Sequence, residues 1–248
     1  MLVKSQVKYI QSLSQKKLRD EEGVFVAEGP KIINELLQAG NVTVKQLYAV
    51  EAWVAQHRDA GPWPVVPVTP SELERISFLQ TPNQVLGIFT KPVFTGNNSA
   101  HGKLSLLLHN IQDPGNMGTI VRCADWFGVQ QIMCSADCVD VFNPKVVQSS
   151  MGSIARVQVR YEDLHAFIQQ HRHIPVYAAT LDGQPVYGLS LPEKAFLLIG
   201  NESKGIAPDL LQLAAHRVTI PRIGNAESLN AAVATGILLA EMAGRLQR

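Results

Sequence analysis

The sequence predicts an α/β protein, and three observations carry that prediction. Short apolar runs alternate with helix-like stretches along most of the chain. Leu104-Ser-Leu-Leu-Leu108 is too apolar for a half-exposed strand and fits a parallel strand covered on both faces. Three segments rich in Gly, Asn, Ser, Glu and Arg each follow an apolar strand-like run. Loops at the carboxyl ends of strands are where open α/β sheets bind ligands. The expected architecture is a mostly parallel C-terminal sheet with helices on both faces, preceded by a small α/β domain.

The N-terminal domain is assigned to residues 1–92. Val24–Ala27 reads as a short strand. Pro30–Ala39 reads as a helix, with proline suited to its first position and Gly40 suited to its stop. A strand at Leu47–Val50 precedes a helix at Glu51–Arg58. Val65–Val68 is the next strand, and Ser71-Glu-Leu-Glu74 has a capping-box spacing that opens a helix. Val85–Phe89 closes the domain. Residues 93–103 are turn formers without a period and read as a linker.

Residues 104–248 form the second domain. After Leu104–Leu108, strands are expected at Gln131–Cys134, Ala155–Val159, Val176–Ala179, Ala195–Ile199 and Arg217–Ile220. Helices are expected at Met117–Phe127, Pro144–Met151, Leu164–Gln170, Pro208–Ala214 and Leu229–Leu246. The last is apolar around most of its circumference and needs cover from the sheet, a partner subunit, or both.

Composition narrows the function classes. An apolar fraction of 46% with 17% charged residues is that of a globular protein with a sizeable core. No apolar run is long enough for a membrane span, and the N-terminus lacks an export-type apolar segment. Cys123, Cys134 and Cys138 make neither an even framework nor a CxxC pair, which suits reduced thiols in the cytoplasm. The seven histidines show no metal-ligand spacing, so no metal is expected. GxGxxG, GxSxG and P-loop motifs are absent. A net charge of +1 excludes a generally polybasic protein but leaves room for a local nucleic-acid patch.

The first segment is Asn110-Ile-Gln-Asp-Pro-Gly-Asn-Met-Gly-Thr-Ile-Val-Arg122. Asn116 is a candidate cap for a helix starting near Met117. Arg122 lies one turn beyond Gly118, either as a solvated side chain or as a phosphate or carboxylate ligand. The second, Gly200-Asn-Glu-Ser-Lys-Gly205, is either a surface turn or a loop whose backbone bonds a flat ring. The third, Ile220-Pro-Arg-Ile-Gly-Asn-Ala-Glu-Ser-Leu-Asn230, precedes the long apolar helix. Ser228 suits its N-cap, whereas Asn230 is a poor helix former and is expected to bond something specific.

Together the segments resemble the SpoU (TrmH) family of RNA ribose 2′-O-methyltransferases in the SPOUT superfamily. The pattern N-x-x-D-P-x-N-x-G-x-x-x-R falls on Asn110, Asp113, Pro114, Asn116, Gly118 and Arg122. G-x-E-x-x-G falls on Gly200, Glu202 and Gly205, and S-L-N on Ser228, Leu229 and Asn230. Residues 5–90 look like the small substrate-binding domain that often precedes this fold. The resemblance implies a trefoil knot, an exception to unknotted topology. It also implies S-adenosylmethionine as cofactor, held at Thr180, Leu181, Gly200, Ile220 and Leu229, and a homodimer packed through the knotted region. Arg122, Asn116, Glu202, Ser228 and Asn230 are the implied catalytic set. The chain departs from the family in the residues after the asparagine of Asn230-Ala-Ala-Val233 and before the glycine of Arg222-Ile-Gly224, and neither departure touches a chemical group of the implied site.

The implied reaction is methylation of a ribose 2′-hydroxyl in structured ribosomal or transfer RNA. A guanidinium is a poor base at neutral pH, so Arg122 is read as an anchor on a neighbouring phosphate. Asn116 would orient Arg122 or the ribose, and Glu202 would fix the second loop or Arg122. Lys4, Lys8, Lys16, Lys17, Arg19 and Lys31 form a candidate RNA patch in the N-terminal domain. The alternatives are a non-catalytic RNA-binding assembly or regulatory factor that keeps the fold, and methylation of a base nitrogen.

Overall fold

The structure is a computed structural model and describes residues 2–57, 61–95 and 103–246, with side chains described through 243. In chain order the first elements are α1 (Lys4–Ser12), α2 (Lys16–Glu22), β1 (Val24–Glu28), α3 (Pro30–Gln38) and β2 (Val44–Ala49). There follow α4 (Glu51–Gln56), β3 (Val65–Pro67), α5 (Pro70–Ile76) and β4 (Val85–Thr90). Next come β5 (Leu104–Leu108), α6 (Pro114–Trp126), β6 (Gln131–Cys134), α7 (Pro144–Ser150) and a 3-10 turn at Ser153–Ala155. The rest are β7 (Gln158–Tyr161), α8 (Leu164–Gln170), β8 (Val176–Pro185), β9 (Ala195–Ile199), α9 (Pro208–Gln212), β10 (His216–Thr219) and α10 (Ala231–Leu246). These elements form two compact units, Met1–Thr95 with Asp140–Ala155, and Gly96–Val139 with Arg156–Arg248.

The first unit is built on a four-stranded sheet of order β1-β4-β2-β3. β4 is antiparallel to β1 and β2, while β3 lies parallel to β2. Every residue of β1 is buried, because both faces of this strand are covered. Val24 and Val26 point into a cluster with Val7, Ile10, Leu73 and Ile88. On the opposite face Phe25 meets Phe89 and Phe142, with ring centroids 5.8 and 5.4 Å away. Phe142 leads into α7, so a segment placed in the second domain by sequence, 140–155, completes the first unit. Arg19 is 1% exposed. It donates to the carbonyls of Leu13 and Ser14 and pairs with Asp140 at 2.5 Å.

Several expectations need correction here. α1 and α2 were not expected. Val3, Val7 and Ile10 mark one face of α1, but its remaining residues are polar and give a weak period. The capping box of α5 is Thr69 with Glu72, because Pro70 occupies the first helical position and draws the start back from Ser71. Arg19 is spent on a buried ion pair and cannot serve an RNA patch. The expected helix end at Arg58 and linker residues 96–102 lie outside the described residues.

The second unit carries a six-stranded sheet of order β10-β8-β9-β5-β6-β7. All its pairs are parallel. β5 and β9 are buried at every position, which explains their apolar sequence, broken only by Ser105 in β5. Leu107, Phe196 and Leu198 face a core shared with Leu164, Phe167 and Ile168 of α8 and Leu210 of α9. α6 packs against α10, where a Cβ at Gly236 would stand 3.5 Å from Cys123 Sγ. β7 starts at Gln158, later than expected, because residues 153–155 tighten into the 3-10 turn.

β8 is ten residues long, and its register with β10 jumps. Arg217 faces Ala178, but Val218 faces Gln184. Residues 179–183 therefore have no partner in the ladder. A Cβ at Gly183 would lie 2.6 Å from backbone atoms of Arg217 and Val218, so only glycine permits this approach.

Candidate active site

The carboxyl ends of β5, β9 and β10 lead into the three polar segments singled out by sequence, all within the second unit. In the first, Asn110 adopts a left-handed backbone with φ 56°, which asparagine tolerates better than most residues. α6 begins at Pro114, and its N-cap is Asp113, whose carboxylate accepts from the Asn116 amide at 2.8 Å. The expected cap at Asn116 is thus corrected: proline at N1 fixes the start three residues earlier. Freed from capping, the Asn116 side chain reaches the other two segments.

Asn116 Nδ2 donates to Glu202 Oε1. Asn116 Oδ1 accepts from Asn230 Nδ2 at 2.8 Å. Asn230 Oδ1 in turn accepts from the Ala232 and Val233 amides at 3.0 and 3.3 Å. Asn230 is therefore the N-cap of α10, and the expected cap at Ser228 is corrected. Ser228 is exposed beside the cavity described below and makes no side-chain hydrogen bond among the described residues. The specific partner expected for Asn230 is Asn116.

This chain of amides has a fixed polarity. The α10 amides can only donate, which commits Asn230 Oδ1 as acceptor and its Nδ2 as donor. Asn116 must then present Oδ1 to Asn230 and Nδ2 to Glu202. Glu202 ends the chain as an acceptor, the natural state of a carboxylate.

Beside this network is a cavity of about 650 Å³, of the size that holds small-molecule ligands. Its wall includes Thr180, Leu181, Gly200, Ile220 and Leu229, the five residues expected at a cofactor, and also Glu202 and Ser228. A Cβ at Gly200 would come within 2.5 Å of the Gly205 backbone, so the second loop closes only over glycine. Leu181 and Ile223 are 77% and 102% exposed on this wall, apolar surface without cover from the chain. Between Arg222 and Leu229 no backbone amide donates a hydrogen bond among the described residues. Apolar walls with free main-chain donors and acceptors suit a flat, polar-edged ring such as adenine. Among the described residues no cluster of His, Cys, Asp or Glu could hold a metal.

Arg122 stands apart. It is exposed on α6 and makes neither a hydrogen bond nor an ion pair among the described residues. Of the alternatives given for Asn116 and Glu202, a contact with Arg122 is not formed, and the two side chains bond each other instead. Sequence reading also passed over Asn201, whose side chain bonds across to Asn110. Its signal was available: asparagine opening a tight Asn-Glu-Ser-Lys turn favours side-chain bonds to the amides that follow.

Comparison with known proteins shows the family. The pattern of the SpoU rRNA Methylase family matches residues 103–240. The chain belongs to that family. Residues 4–87 match the MRM3-like substrate binding domain, so this SpoU chain carries both parts. A TrmH-family protein of Porphyromonas gingivalis is 39% identical, with 97% of this chain and 98% of that one covered and a TM-score of 0.83. The AdoMet-bound rRNA methyltransferase of Sinorhizobium meliloti is 32% identical over 99% of this chain and 96% of that one, with a TM-score of 0.84. The 23S rRNA (guanosine(2553)-2'-O)-methyltransferase RlmP of Bacillus subtilis is 28% identical over 96% of both chains. The fold of both units, including the parallel sheet and flanking helices of the SpoU part, is therefore shared along nearly the whole length.

Proposed function

We propose that this SpoU-family protein uses S-adenosylmethionine to methylate a ribose 2′-hydroxyl in structured RNA. The observation that carries the reading is the hydrogen-bonded chain Glu202–Asn116–Asn230, which ties all three family motifs together at one cavity. The cavity's size, its apolar wall and its free main-chain groups fit the cofactor that the Sinorhizobium relative binds. Thr180, Leu181, Gly200, Ile220 and Leu229 would hold it.

When bound, S-adenosylmethionine supplies a methyl group already activated by its sulfonium, so the protein's part is alignment and management of one proton. Alignment of two reactants can lower a barrier by roughly 7–11 kcal/mol. Exposed and unpaired among the described residues, Arg122 can take an RNA phosphate in a two-pronged contact, and a guanidinium at neutral pH donates rather than accepts protons. Asn116 and Glu202 keep the rim of the cavity in register with α6, and Ser228 borders the same rim.

Ribosomal RNA is the preferred substrate on this reading, supported by the MRM3-like domain and the Bacillus relative. Exposed Lys4, Lys8, Lys16, Lys17 and Lys31 are the remaining candidate phosphate contacts of the first unit. A homodimer is supported by apolar surface on α6 and α10, where Trp126 and Val233 are 84% and 52% exposed. The close approach at Gly183 is compatible with the trefoil threading that the family resemblance implies. No described helix is long and apolar enough to cross a membrane.

The test is methyl transfer to total RNA from a strain lacking the gene, followed by digestion to nucleosides and mass spectrometry. A 2′-O-methylnucleoside is expected. A base-methylated nucleoside, or no methyl transfer to any RNA, would overturn the reading.

A further inference from the structure

We propose that Asn201 is a positioning residue for methyl transfer, acting through Glu202. Both its side-chain nitrogen and its side-chain oxygen are hydrogen-bonded. Nδ2 donates to the Asn110 carbonyl at 2.9 Å, across 91 positions of sequence. Oδ1 accepts from the Ser203 and Lys204 amides at 2.9 and 3.0 Å. The Asn201 backbone is paired as well, with its amide on the Gly205 carbonyl at 3.1 Å and the Gly205 amide on its own carbonyl at 2.9 Å.

These bonds do two separable things. Those to Ser203, Lys204 and Gly205 close the second loop on itself. The bond to Asn110 bolts that loop to the first motif, at a residue whose left-handed backbone turns its carbonyl away from the β5 ladder. Glu202 is the next residue, and its carboxylate must meet Asn116 on α6. Loops one and two are thus joined twice, by a main-chain bolt at Asn201–Asn110 and by a side-chain contact at Glu202–Asn116. The first sets the distance over which the second can form. The bond from Nδ2 to a carbonyl has no counterpart in aspartate, whereas aspartate retains the acceptors that Ser203 and Lys204 need.

The inference rests on the methyl-transfer reading of this cavity. Its test compares Asn201→Asp with the unsubstituted protein by three measurements. Hydrogen exchange should find the Ser203 and Lys204 amides still protected. Calorimetry should find S-adenosylmethionine affinity within about threefold. kcat on the methyl-accepting RNA should fall about 10–100-fold at little changed KM for RNA, since misplacement of a group by about 1 Å costs on that order. An unchanged kcat overturns the proposal. So does a parallel fall of kcat and cofactor affinity, which would make Asn201 an ordinary support of the cofactor loop. If Asn201→Asp does not fold, Asn201→Ser keeps one acceptor for the Ser203 amide, removes the same donor, and is read in the same way. Methyl transfer absent from the unsubstituted protein would instead overturn the methyltransferase reading, and this proposal with it.

Discussion

Asn230 Nδ2 donates to Asn116 Oδ1 at 2.8 Å, and this bond sets the direction of every hydrogen bond between α10 and the second loop. Replacing Asn116 by Asp puts an acceptor where Glu202 requires a donor. That places two carboxylates in contact, which raises the pKa of one and breaks the link. Asn116→Asp should therefore lose about 10²-fold in methylation rate. Glu202→Gln should lose far less, because a rotated amide still offers an oxygen to Asn116. Steady-state rates on one RNA check the ranking. Equal losses would show that the carboxylate charge, not the direction of the chain, is what matters.

Arg122 is unpaired among the described residues and is assigned to an RNA phosphate. Lysine keeps the charge but not the planar fork. Arg122→Lys should reduce kcat/KM at least about tenfold while S-adenosylmethionine affinity stays unchanged, because the proposed contact is with RNA. Near-full methylation by the lysine variant would dismiss the two-pronged contact.

Asp140→Ala leaves the Arg19 guanidinium buried with only the Leu13 and Ser14 carbonyls. Loss of one partner from a buried pair costs about 3–5 kcal/mol. The two remaining carbonyls put the expectation at about 3 kcal/mol, measured by chemical denaturation. A fragment ending at residue 95 should likewise fail to fold, because Phe25 loses Phe142 and β1 loses its cover from α7. A cooperative unfolding transition from that fragment would contradict the two-segment unit.

Glu28 is buried, and burial raises its pKa above the usual 4.5 against the opposing bonds from Ser77 and the Phe78 amide. The folded state thus favours the protonated acid. That contribution is fully present below the unfolded pKa and is lost as pH rises through the higher folded value. Glu28→Gln cannot ionise, so its Tm relative to the parent should rise between pH 4 and pH 8. A flat or falling difference would show that the two donors outweigh burial.

Much of this was legible in the sequence. Apolar runs marked β5 and β9, and residue type and spacing marked three loops that the fold does join by hydrogen bonds, two of them lining one cavity. Local signals misplaced the caps. Ser228 and Asn116 are good capping residues, but Pro114 and the α10 amides select Asp113 and Asn230. Long-range burial was invisible too. Nothing near Arg19 announces that Asp140, on the far side of the whole first unit in sequence, will neutralise it. Phe142 and α7 follow strand β6 without a break that would assign them to another unit.

Calorimetric titration of S-adenosylmethionine tests the central claim, that the second and third loops, tied to the first through Asn116, line one cofactor cavity. One site per chain is expected for the unsubstituted protein. Gly200→Ala, whose added Cβ would stand 2.5 Å from the Gly205 backbone, should bind at least about tenfold more weakly while its circular dichroism stays native. No binding by the unsubstituted protein, or equal affinity in Gly200→Ala, would contradict it.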